Sequence, residues 1–157
     1  MEKLFMERKA ADNKYLHRDF HKLLDVGLAY IGARYGDDGV RQYLREFAAA
    51  YYAPLIEKIK LYGLAELAAH IRSIYELEEA SETLTLALDG QSLNVRVEKC
   101  PAVEHFKTIG HTASKWYVET TRTVNETIAD LANLNYSQRF YDEETGKCEY
   151  AFTGRNA

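Results

Sequence analysis

At 157 residues, 46% hydrophobic and 28% charged, the chain has the size and composition of a single globular domain, residues 1–157, that needs no disulfide or structural metal to fold. A net charge of -4 with acids and bases intermingled excludes the clustered basic surface of a dedicated nucleic-acid binder. No run approaches the roughly 18 apolar residues of a membrane span. The opening MEKLFMERKAADNKY lacks the apolar stretch of a signal peptide. A cytoplasmic protein with no nucleic-acid and no membrane partner is therefore expected.

The first half has helical periodicity. From about Asp12 to Tyr35, Leu16, Phe20, Leu23, Leu24, Gly27 and Ile31 recur at the three-and-four spacing of one buried face. Gly36 suits a C-terminal cap, and Asp37 and Asp38 suit the start of a second helix carrying Val40, Tyr43, Leu44, Phe47 and Tyr51 on one side. Pro54 opens a short third helix that stops at Gly63. A fourth runs from about Leu64 to Glu79, with Leu67, His70, Ile71, Ile74 and Tyr75 inward.

The period then changes to two. Leu84, Leu86 and Leu88 alternate with polar or small residues, as do Leu93, Val95 and Val97, and Asp89-Gly90 between the runs signals a hairpin. A short helix follows from Pro101 to about Gly110, and a longer one from about Trp116 to Leu134 turns Val118, Thr121, Val124, Ile128 and Leu131 inward. Segments 137–142 and 147–153 flank Glu143-Glu144-Thr145-Gly146 as a second hairpin, with Cys148, Tyr150 and Phe152 on one face. The expected fold is α+β: a helical N-terminal half packed on an antiparallel sheet built from two β-hairpins.

Metal, phosphate-loop, dinucleotide and serine-hydrolase motifs are absent, so no metal and no cofactor are expected. His17 and His21 share a helix face without a third ligand of clear spacing. Cys100 stands at the N-terminus of the short helix, where the helix dipole favours a thiolate, with His105 and His111 downstream as candidate bases. The competing reading makes Cys100 a small buried hydrophobe, as free cysteines commonly are. Arg122 either pairs with Glu119 one turn back or turns inward to meet an acidic ligand. Twelve tyrosines suit half-buried margins, pocket walls and interfaces. Tyr30, Tyr51, Tyr75, Trp116 and the leucines of the first hairpin are candidate walls of a cavity, with His70, Tyr117 and Arg122 as further ligand contacts.

The alternating hairpin followed by Cys100-Pro101, Gly110, a long helix and the closing Gly146-Lys147-Cys148-Glu149-Tyr150-Ala151-Phe152 resembles the L-2-amino-thiazoline-4-carboxylic acid hydrolase-like family over residues 82–153. It is also similar to the vinyl-reductase-type small-molecule-binding domains. The resemblance implies a related fold and a small-ligand pocket, with Cys100 and Cys148 at matching positions. Ser114-Lys115-Trp116-Tyr117 stand where family members carry a further cysteine.

Three functions follow as expectations. The first is a small-molecule-binding domain with an apolar, aromatic pocket between the helices and the first hairpin. The second is a hydrolase of a small cyclic amide or thiazoline that uses Cys100 with His105 or His111. The third is a homodimeric interaction module without a ligand.

Overall fold

A computed structural model describes residues 18–155 of the chain. Leu16 and His17, placed above on the first helix, lie outside the described residues. Five helices and four strands follow in the order α1 (Asp19–Tyr51), α2 (Ala53–Tyr62), α3 (Leu64–Leu77), β1 (Leu84–Asp89), β2 (Ser92–Val97), α4 (Pro101–Thr108), α5 (Glu119–Leu131), β3 (Leu134–Tyr141) and β4 (Cys148–Gly154). The fold is α+β, as its two sequence periods require.

The four strands form one antiparallel sheet in the order β1-β2-β4-β3. Each hairpin closes on itself, and β2 pairs with β4 to join them. In the first hairpin the Asp89 carboxylate accepts from the Ser92 N–H (3.2 Å) and hydroxyl (2.8 Å), which fixes the turn. The β2–β4 register sets Leu93 opposite Phe152, Val95 opposite Tyr150 and Val97 opposite Cys148. All six are buried, and they form the floor on which the helices sit. Of the intervening residues of the same strands, which face the other way, Asn94, Arg96 and Glu149 are half-buried or exposed and Ala151 is buried.

The sequence places a helix end at Gly36, and the backbone there is indeed non-helical (φ 68°, ψ −169°), but the chain resumes helical geometry at once, so that α1 is one rod with a kink. Trp116 spans the kink. Its indole lies over Gly32, where a Cβ would collide with the ring, and its N–H donates to Asp37 (2.8 Å). That hydrogen bond, with the nearby Lys115 charge, lowers the Asp37 pKa.

One helix is rotated relative to the sequence reading, and the end of another departs from it. In the first half of α1 the buried residues are Asp25, Leu28 and Gly32, whereas Phe20, Leu23 and Gly27 are exposed. The rotation follows from Asp25, which is 1% exposed yet fully bonded: Ser114 donates through its N–H (3.0 and 3.1 Å) and its hydroxyl (2.7 Å), and His111 sits 2.8 Å away. A carboxylate so provided for can occupy the inner face of a helix. In α5 Leu131 is exposed, and Ala129 and Ala132 take the inner positions. The helix stops at Leu131 because Asn133 adopts a left-handed conformation (φ 58°), which Asn tolerates, and β3 begins at the next residue. Glu119, expected on the outer face of this helix, is buried, and accepts from the Thr123 hydroxyl (2.6 Å) while pairing with Arg122 (3.4 Å) and Arg41 (3.5 Å).

Asp25 ties the 110–115 segment to α1, and its loss strands three donors inside the protein. Asp25→Ala is expected to lower the unfolding free energy by about 2–4 kcal/mol, read from urea denaturation at pH 7. A loss below about 0.5 kcal/mol, the usual range of a surface substitution, would contradict the account.

Candidate functional site

Above the sheet, α1, α3, the start of α4, α5 and Tyr150 of β4 enclose a cavity of about 330 Å³. It falls at the lower end of the roughly 300–1,000 Å³ range of small-molecule sites. Helical spacing builds its walls. Leu67, Ile71 and Ile74 come from successive turns of α3, Val124 and Ile128 from α5, and Leu24 and Leu44 from the two limbs of α1. Aromatic rings complete the lining, and Phe20 and Tyr51, both more than half exposed, mark the side on which the cavity meets the surface. Among the described residues, none of β1 or β2 lines it, so its lower boundary is the second hairpin rather than the first.

The polar groups are few. Glu78 follows the last turn of α3, and the left-handed Glu79 (φ 55°) turns the chain away while the Glu78 side chain stays inside, 3% exposed. One of its oxygens, Oε1, lies 2.6 Å from His21 Nε2. Cys100 caps α4 in extended conformation without a side-chain cap hydrogen bond, its thiol near the Val103 and Ala102 N–H groups. These favour a thiolate, but burial outweighs them, and the Glu78 and Glu104 charges act in the same direction as burial. The Cys100 pKa is raised. Gly146 lies against Cys100 so closely that a Cβ there would collide with the cysteine, and its positive φ (65°) also requires glycine. Burial likewise raises Tyr75, Tyr117 and Tyr150, which remain neutral phenols, and pushes Cys148 up to about 12. His70 packs edge-on to Tyr52 (centroids 5.6 Å apart), and desolvation lowers its pKa, which favours the neutral ring at neutral pH.

The structure gathers five of the sequence-chosen residues, Tyr51, His70, Tyr75, Cys100 and Tyr117, around this cavity. Five others lie elsewhere. Tyr30 is exposed on α1, its hydroxyl bonded to Arg34 (2.6 Å). Trp116 serves the α1 kink, and Arg122 is spent on Glu119. His105 faces Asp19 (3.1 Å) and His111 faces Asp25 (2.8 Å), so both candidate bases are engaged by carboxylates, and neither lines the cavity. His21 shares the cavity with His70, Cys100 and Glu78, and it is the one bonded to Glu78. Glu78 itself was not singled out from sequence, because Glu76-Leu77-Glu78-Glu79 has the pattern of a solvated charge run. Among the described residues no three His, Cys, Asp or Glu side chains are grouped to hold a metal ion, and no helix is long and apolar enough to cross a membrane.

The chain matches no family model, no curated protein and no solved structure. The function is therefore argued from the geometry alone.

A half-buried thiol with a raised pKa and no histidine hydrogen-bonded to it is a poor nucleophile, since the thiolate is the reactive form. In the folded protein Cys100 is expected to react with iodoacetamide at pH 7.5 at least about tenfold more slowly than the same thiol in urea. Labelling of Cys100 in the native state at the rate of the unfolded chain would restore the hydrolase reading.

Proposed function

We propose that the protein is a small-molecule-binding domain whose ligand occupies the cavity enclosed by α1, α3, α4, α5 and Tyr150. The observation that carries this reading is the composition of the walls. Aliphatic side chains and aromatic rings supply most of the lining, and a short polar cluster of Glu78, His21 and Cys100 lies among them. Such a lining rewards transfer of an apolar body from water by roughly 25 cal/mol per Å² of buried surface, while a small polar cluster fixes orientation.

The core elsewhere is closely filled. Leu28, Val40, Leu93, Val95, Val97 and Phe152 are each 2% exposed or less. A molecule bound against the cavity walls gains dispersion contacts with their side chains. The thiol chemistry of the hydrolase alternative has less support, because burial opposes ionisation of Cys100 and the histidines chosen as bases are held by Asp19 and Asp25.

A thermal-shift screen against single-ring aromatic and short-chain aliphatic molecules tests the reading. At least one chemical class is expected to raise the melting temperature in a dose-dependent way, by mass action on the folded state. Ile74→Trp, which fills the space with an indole, is expected to abolish that rise. The absence of any shift across the panel, or a shift that Ile74→Trp leaves unchanged, would overturn it.

A further inference from the structure

The charge inventory of the cavity says which ligands it discriminates against. Among the described residues that line it, Glu78 is the one carboxylate, and no lysine or arginine is present. The two histidines on the lining differ in role. His70 is desolvated and favours its neutral form, and His21 occupies a single oxygen of Glu78, Oε1. Among the described residues no donor reaches the second oxygen, Oε2. Arg18 touches the backbone carbonyl of Glu78 (3.4 Å) but directs its charge to the exposed carboxylate of Glu79 (3.1 Å). The guanidinium of Arg122, the candidate anion receptor, is held by Glu119 and does not line the cavity.

The same cavity is lined by the rings of Phe20, Phe47, Tyr52, Tyr75, Tyr117 and Tyr150. Aromatic faces carry negative quadrupole density and attract organic cations, most strongly where water is excluded. A buried carboxylate with an open oxygen adds a charge-assisted hydrogen bond for an N–H donor. An anionic ligand would instead meet like charge, and among the described residues on the lining no lysine or arginine offsets it, leaving only His21, which is engaged at Oε1.

We propose that the cavity selects a small organic ammonium ion, its charge against Glu78 Oε2 and its apolar body among the aromatic rings. The proposal rests on the ligand-binding reading above and names the class of ligand.

Isothermal titration calorimetry on the full chain at pH 7 with phenethylamine, 2-phenylethanol and phenylacetate tests it, because the three share a ring and differ in the charge of the head group. Phenethylamine is expected to bind at least about tenfold more tightly than phenylacetate and more tightly than the alcohol. Glu78→Gln is expected to remove the preference for the amine over 2-phenylethanol. Equal or tighter binding of phenylacetate or the alcohol to the native chain would overturn the ammonium assignment and leave cavity binding standing, and this ranking decides the matter even if Glu78→Gln fails to fold. A Glu78→Gln variant that folds and keeps the amine preference would also overturn it. Binding of none of the three would overturn both the assignment and the reading on which it rests.

Discussion

The pairing of β2 with β4 is the contact on which the remaining architecture depends. Neither hairpin alone offers a face broad enough to cover the helices, and an isolated two-stranded hairpin is marginally stable in water. Joined in the observed register, the two central strands present Leu93, Val95 and Val97 beside Phe152, Tyr150 and Cys148 as one continuous apolar floor. A slip of one residue would turn those side chains to the open face and bring Arg96 and Glu149 under the helices. The same register carries Tyr150 beneath the cavity, and it positions the turn before β4 so that Gly146 backs onto Cys100.

Three buried carboxylates then divide the work above the floor. Asp25 is saturated by Ser114 and His111, and it holds the segment before α5 against α1. Glu119 is shared among Thr123, Arg122 and Arg41, and so links α5 to the second limb of α1. Both are fully occupied by the protein, as buried charges must be if they are to stabilise a fold. Glu78 differs from them, since His21 meets one of its oxygens, no donor among the described residues reaches the other, and the residue lines the cavity. The contrast separates two acids with a structural role from one with chemistry to spare.

The order of elements was legible in the sequence because each carries its own local signal: Pro54 and Pro101 at helix starts, Gly63 at a stop, Asp89-Gly90 between two alternating runs, and the alternation of Cys148, Tyr150 and Phe152. What could not be read was which polar residues point inward. Hydrophobic periodicity orients a helix only on the assumption that charges face water, and Asp25 and Glu119 break that assumption with partners 89 residues away in one case and one turn away in the other. The same assumption hid Glu78 within an acidic run. Residues drawn to the cavity by helical spacing, such as His70 and Tyr117, are there, whereas Tyr30 and Arg122 found partners on their own helices at i+4 and i−3. Side-chain choices between local partners and the interior are decided by tertiary contacts, which local sequence does not contain.

The account turns on a space among α1, α3 and α5 that is apolar and accessible to a small guest. Crystals of the protein pressurised with xenon test this most directly, because the gas settles in dry apolar cavities without any need for a specific polar contact. The account predicts a xenon site bordered by Leu67, Ile71, Val124 and Tyr150, with little displacement of the surrounding side chains. Crystals that take up no xenon there, or side chains that have closed the space, would contradict it.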